Sequence, residues 1–223
     1  MGYITIATTG NSADFGDLLQ STEAAGCCAS STRGLAAGGT TPTKINSIEY
    51  ITIATLGNAT DFGDLLATNQ NQAACSSSVR GVFAGGYTGS GSNVIQYITI
   101  ASTGNATDFG NLDTGRSSPQ GASNGTLGVI MGGEDFASGS GDHDKIQKVT
   151  IQTAANATDF GNLSVARVYV AGMTSNTRGL FAGGFSPTLR DTVDFIEIAS
   201  TGNAVEFGNL AAANRKGMSC SSH

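Results

Sequence analysis

The sequence has no tryptophan, and aromatic residues amount to 7% of it. A binding mode that stacks sugars on exposed rings therefore has little material to work with. Charged residues are also scarce, at 13% against roughly a quarter in an ordinary soluble domain. The net charge is -6 and the lysines and arginines are scattered singly. Neutralising a phosphate backbone takes a basic stripe, so nucleic acid is not an expected partner. No apolar run approaches the roughly 18 residues of a membrane span. Met1-Gly2 leads into an apolar alternation without the charged and apolar regions of a signal peptide. The expectation is a soluble chain that is not exported by that route and does not insert into a membrane.

What is present is repetition. Tyr3-Ile4-Thr5-Ile6-Ala7 returns at Tyr50-Ile51-Thr52-Ile53-Ala54 and Tyr97-Ile98-Thr99-Ile100-Ala101, and in weaker form at Val149-Thr150-Ile151 and Phe195-Ile196-Glu197-Ile198-Ala199. A second phrase follows each time, centred on Phe15, Phe62, Phe109, Phe160 and Phe207, at intervals of 47, 47, 51 and 47 residues. That period matches one blade of a β-propeller. Between Ala73 and Leu112 the pattern divides into four short pieces, 73–77, 81–84, 95–101 and 107–112. Alternation, β-branched residues and punctuating glycines make them strands and exclude helix. The glycine pairs at 38–39, 85–86, 132–133 and 183–184 stand where strands converge and a side chain would block close approach. A phosphate-cradling loop would need a helix to follow, and none is expected.

The apolar run ending in a glycine pair, the aromatic about eleven residues later (Tyr50, Tyr97, Phe195) and the fourth-strand phenylalanine resemble the kelch repeat family. Kelch repeats usually end on Trp where this chain always has Phe. Near-verbatim phrases such as Ile100-Ala101-Ser102-Thr103-Gly104-Asn105-Ala106-Thr107-Asp108-Phe109-Gly110-Asn111-Leu112 also resemble repeat proteins encoded by marine tailed phages, cyanophages in particular. The fold expected is all-β: one domain over 1–223, about five four-stranded antiparallel blades, with units beginning near Tyr3, Tyr50, Tyr97, Lys148 and Phe195. In this reading Met218 to His223 forms a first strand that joins the N-terminal third and fourth strands in one shared closing blade. That blade lacks its second strand. It is either short, or completed by another chain, or the sequence is a segment of a longer array.

The four cysteines form no metal or disulfide pattern. Cys28, Cys75 and Cys220 each fall ten residues after Leu18, Leu65 and Leu210, and Ala122 and Met173 occupy the same slot. One small apolar position explains them as free thiols. Adjacent Cys27 and Cys28 lack zinc spacing, and His143 and His223 lack neighbouring thiols. Neither a metal nor a cofactor is expected.

Residues that break the repeat are the candidates for binding. The loop between second and third strands varies most, and it holds Tyr87 in one unit and Phe185 and Arg190 in another. Its third copy, four residues longer, gathers Glu134, Asp135, Asp142, His143 and Asp144. Carboxylates beside a histidine fit a polar binding loop or a hard-cation site. Ser138-Gly139-Ser140-Gly141 and the following Lys145 favour a solvated loop instead. Arg33, Arg80 and Arg178, with Arg116 and Arg167, would form a ring able to bind acidic ligands, or would bond turn carbonyls between blades. Asn58, Asn105 and Asn156 fit a glycosylation acceptor, though repeated turn chemistry accounts for them. Blades this alike offer surfaces rather than a unique active site. The leading expectation is a non-enzymatic structural or appendage protein of a phage particle, made in the host cytoplasm, whose partners are other virion subunits or copies of itself. A lectin-like multivalent module for host-surface glycans is the alternative.

Overall fold

The computed structural model describes residues 1–135 and 141–214. The C-terminal strand expected at Met218 to His223, with Cys220 and His223, and residues 138–140 of the long loop lie outside these. Among the described residues the regular structure is all β, in four antiparallel four-stranded sheets and two short ribbons. Sheet I comprises Gly26–Ala29, Arg33–Ala37, Ser47–Thr52 and Thr60–Asp64. Sheet II comprises Ala73–Ser76, Arg80–Ala84, Ser92–Thr99 and Thr107–Arg116. Sheet III comprises Gln120–Ser123, Leu127–Met131, Lys145–Thr150 and Thr158–Asn162. Sheet IV comprises Ala171–Thr174, Arg178–Ala182, Arg190–Glu197 and Val205–Asn214. Within each sheet, strands pair in sequence order.

The N-terminal phrase forms a ribbon of Gly2–Tyr3 against Ala13–Asp14, matching the third and fourth strands of a sheet. In sheet II the third and fourth strands run three and four residues beyond the spans read from the pattern, because Ser92 pairs with Arg116 past a register shift.

A second irregularity gives the Phe-Gly phrase its purpose. In sheet I, Glu49 pairs with Asp61 and Ile48 with Gly63, so Phe62 is the extra residue of a β-bulge. Phe109, Phe160 and Phe207 are skipped in the same way. A bulge re-aims one side chain out of the ladder's alternation. In sheets I, II and IV the phenylalanine meets the third-strand aromatic edge-on: Tyr50–Phe62, Tyr97–Phe109 and Phe195–Phe207 lie 5.9–6.2 Å apart at 78–84°. Edge-to-face pairs contribute about 0.5–1.5 kcal/mol beyond the area they bury.

Phe62, Phe109 and Phe160 sit in cores that lie between sheets. One core joins Leu35, Ile48 and Phe62 of sheet I to Phe83, Ile98, Ile100 and Ala106 of sheet II. A second joins Phe109 and Leu112 of sheet II to Ile130, Val149 and Ile151 of sheet III. A third joins Phe160 and Leu163 of sheet III to Phe181, Ile196 and Ile198 of sheet IV. The first strands of successive sheets also pack against one another. The sheets therefore stand side by side, each apolar face covered by the next. The glycine pairs permit this spacing: Gly38 and Gly39 have φ of +63° and +104°, and a Cβ on Gly38 would lie 2.4 Å from the Asn69 carbonyl oxygen.

The cysteine slot belongs to the same contact. The Sγ atoms of Cys28 and Cys75 lie where a Cβ on Gly81 and Gly128 of the following sheets would stand. Both are free thiols, as is Cys27. Burial pushes the Cys75 thiol up to about 12, which leaves it protonated and unreactive at neutral pH.

Candidate functional site

The strand registers separate two ends of the sheets. At one end lie the glycine pairs and the variable loops. At the other lie Arg33, Thr52 and the turn leading to Thr60, together with their equivalents.

At the variable-loop end, Thr40, Tyr87, Glu134 and Phe185 hold the same place in the four sheets. Each forms an antiparallel bridge to the segment preceding its sheet, at Glu23, Gln70, Ser117 and Val168. Tyr87 is half-buried, with the Lys44 ammonium 5.0 Å from its ring centre. The Arg190 guanidinium folds back onto the Ser186 carbonyl of its own loop. The longer third loop is an ordered ribbon at its base, where Glu134 pairs with Asp142 and Asp135 with Gly141. That ribbon holds the backbone of Asp135 and Asp142 in register and leaves Asp144 exposed.

His143 donates its main-chain N–H to the Gly133 carbonyl at 2.8 Å and accepts from the Arg167 N–H at 3.1 Å. Burial holds its imidazole below the usual value, and Arg116 adds to that effect. Its main chain thereby ties the long loop to the segment that follows sheet III. Among the described residues no set of three His, Cys, Asp or Glu side chains is placed to hold a metal. Glu134, Asp135, Asp142, His143 and Asp144 are thus neighbours in the fold without converging on one point.

The arginines separate into two kinds. Arg33, Arg80 and Arg178 lie over Tyr50, Tyr97 and Phe195 at 4.3, 4.2 and 4.7 Å from the ring centres. Arg33 also donates to the Ile100 carbonyl of the next sheet at 2.8 Å, and Arg80 to that of Ile151 at 3.3 Å. Sheet III lacks this arginine, having Leu127, and lacks the aromatic, having Lys148. The Lys148 ammonium lies 5.8 Å from the Phe160 ring, so the cation has moved from the second strand to the third. Arg116 and Arg167 are fully buried between sheets. Arg116 donates to Gln147 at 2.8 Å and Asp113 at 3.0 Å. Arg167 donates to Asp194 at 2.7 Å, with burial pulling its guanidinium below the usual value and Asp194 opposing.

Two features escape a reading by residue type. One is a buried polar series in the third strands, Glu49, Gln96, Gln147 and Asp194. Glu49 accepts from the Leu19 N–H at 2.7 Å, Gln96 from the Leu66 N–H at 2.8 Å and Asp194 from the Ser164 N–H at 3.2 Å. Each ties the segment after the preceding Phe-Gly phrase. The other feature is a clasp made by the three asparagines that look like glycosylation acceptors together with Asn203, which does not. Asn58, Asn105, Asn156 and Asn203 accept through Oδ1 from the N–H of Asp17, Asp64, Asn111 and Asn162, at 2.9–3.0 Å. Alongside, the Ala59, Ala106, Ala157 and Ala204 N–H groups donate to the carbonyls of those same four residues. The signal was in the sequence, as a Gly/Ala-Asn-Ala turn kept in phase with Phe-Gly.

Between the arms of two such turns lie shallow polar grooves. One, about 240 Å³, is lined by Tyr50, Thr52, Leu56, Asn58 and Thr60. The other, about 220 Å³, is lined by Tyr97, Thr99, Asn105 and Thr107, the equivalent residues of sheet II. At the far end of the row, the outer face of sheet IV exposes Val205 and Phe207, and the N-terminal ribbon exposes Ile4 and Ile6. No helix among the described residues is long and apolar enough to cross a membrane. Compared with protein-family models and with curated proteins, the chain finds no match.

Proposed function

We propose that the chain is a non-enzymatic docking scaffold, a structural or appendage protein of a phage particle. In this proposal its sheets are the blades of a β-propeller of about five blades, whose fifth is completed by another chain, with the N-terminal ribbon supplying the outer half of such a blade. The observation that carries the docking role is the open outer face of sheet IV. There Phe207 stands exposed, whereas Phe62, Phe109 and Phe160, which hold the same place in the earlier sheets, are buried. An unpaired, apolar sheet face is a natural seat for another protein. The assignment to a phage particle is supported by the resemblance of the repeat wording to that of tailed-phage proteins. It is tested by quantitative mass spectrometry and imaging of purified particles from cells that express the chain. The chain is expected at fixed stoichiometry on an ordered part of the particle, and its absence from infectious particles would overturn the assignment.

A second reading, multivalent glycan binding, is favoured by the paired grooves 47 residues apart, each with a tyrosine and flanking threonine hydroxyls. Several weak, identical sites gain by avidity. On a glycan array the chain should retain a sugar, and replacing Tyr50 and Tyr97 together by alanine should abolish the signal. An array blank at high protein concentration removes this reading.

A further inference from the structure

The geometry points to the occupant of the open sheet IV face: the N-terminal ribbon of a second copy of this chain, seated through the same clasp that joins every internal pair of sheets. This deepens the docking-scaffold reading and rests on it.

The clasp has a fixed grammar. The Gly57 N–H donates to the Phe15 carbonyl, Gly104 to Phe62 and Gly202 to Phe160, at 2.7–2.8 Å. The asparagine after each turn residue accepts from the N–H two positions beyond the phenylalanine. The next residue's N–H then donates to the carbonyl at that same position. Continued one step, the pattern pairs Gly10 with the Phe207 carbonyl, and Asn11 and Ser12 with Asn209.

Both halves of this fifth clasp are on the chain and both are open. A Cβ on Gly16, Gly63, Gly110 or Gly161 would lie 2.3–2.5 Å from a carbonyl oxygen of the next turn, whereas one on Gly208 would meet nothing within 4 Å. The side chains agree. Phe62, Phe109 and Phe160 are 1–3% exposed, and Phe207 is 61% exposed. Ile100, Ile151 and Ile198, which share cores with those rings, are at most 1% exposed, against 45% for Ile53 and 95% for Ile6 in the same phase.

The arginine pattern extends to the same place. Arg33 and Arg80 reach the isoleucine carbonyl of the following sheet. In sheet IV, Arg178 turns instead to Glu197, and the carbonyl it would reach in a docked copy is that of Ile6. A single chain leaves Ile6 and Phe207 exposed together, so its own ribbon does not fill its own face. The contact joins two different surfaces, so copies associate head to tail, and the series ends in a ring if the rotation closes and in a filament if it does not.

The test is sedimentation velocity on the full chain over a rising concentration series, with Ile6→Glu and Phe207→Glu variants. Both positions are exposed in one chain, so circular dichroism and melting of each variant should match the parent. The parent is expected to form higher species with concentration, and each variant alone to remain a monomer. An equimolar mixture of the two variants retains one good ribbon and one good face, and is expected to stop at a dimer. Asn11→Ala, which removes the one side-chain acceptor of the clasp, should weaken association about fivefold to tenfold. A parent that stays monomeric overturns the inference; with Ile6→Glu then lowering its melting temperature, the ribbon closes on its own chain. Variants that assemble like the parent, or a mixture that fails to dimerise, overturn it too. In each of these cases a chain still found in purified particles keeps the scaffold reading and removes only the self-partner.

Discussion

Replacing Asp194 by alanine should lower the unfolding free energy by about 3–5 kcal/mol, the usual cost of stripping one partner from a buried ion pair. Asp194 and Arg167 both have fully buried side chains and meet at 2.7 Å. The second effect of the change falls on Ser164, whose N–H and hydroxyl both donate to this carboxylate. Two donors and a guanidinium would lose their acceptor inside the wall between sheets III and IV. A control separates the pair from the site: Arg167→Met combined with Asp194→Leu removes both charges, and recovers much of the loss because apolar replacement of a buried pair is often neutral. Glu49→Ala, which frees only the Leu19 N–H, should cost about 1–3 kcal/mol. Chemical denaturation of the four proteins provides the comparison. A loss below about 1 kcal/mol for Asp194→Ala would mean that the pair behaves as a solvated one.

The second large effect is expected at Gly110. Its φ is +144°, and an added Cβ would stand 2.5 Å from the Ala155 carbonyl oxygen and 2.6 Å from its carbon. Backbone cannot move aside as a side-chain tip can. Gly110→Ala therefore combines conformational strain of about 1–3 kcal/mol with overpacking of about 1–3 kcal/mol. Gly208 provides the comparison within the same chain, with φ of +152° and nothing within 4 Å of its added Cβ. Gly208→Ala should show the strain alone when measured in dilute solution. The difference between the two losses isolates the sheet-to-sheet contact, and equal losses would mean that the turn at Ala155 yields.

The strands were legible because their cause is local. Ile98-Thr99-Ile100 alternates, and Gly104-Asn105 turns, whatever surrounds them. The Tyr97–Phe109 contact was not, since a bulge at Phe109 decides where that ring points and no spacing of letters encodes a bulge. Gln96, Gln147 and Asp194 resemble the solvent-facing half of an alternating strand. They are buried because they face the preceding sheet, and their partners lie at its end or in the segment that follows it. Arg116 and Arg167 read with Arg33 and Arg80 as one ring of cations, although two line the wall and two lie over aromatic rings. Leu127 and Lys148 each look like a lapse in the repeat, and the register shows them to be one exchange of partners. At the variable loops the sequence placed Tyr87, Glu134 and Phe185 at one repeat position. The bridges they form, and the ribbon under Asp142, depend on the preceding segment meeting the loop.

Because every hydrophobic core here is shared by two successive sheets, no sheet owns the packing that stabilises it, and the energetics are those of nearest neighbours along a line. A whole unit can then be duplicated or deleted by recombination without inventing a new packing solution, since the incoming unit brings the same Phe-Gly knob and the same asparagine turn. Length is free to drift under selection while the joint between units stays constant.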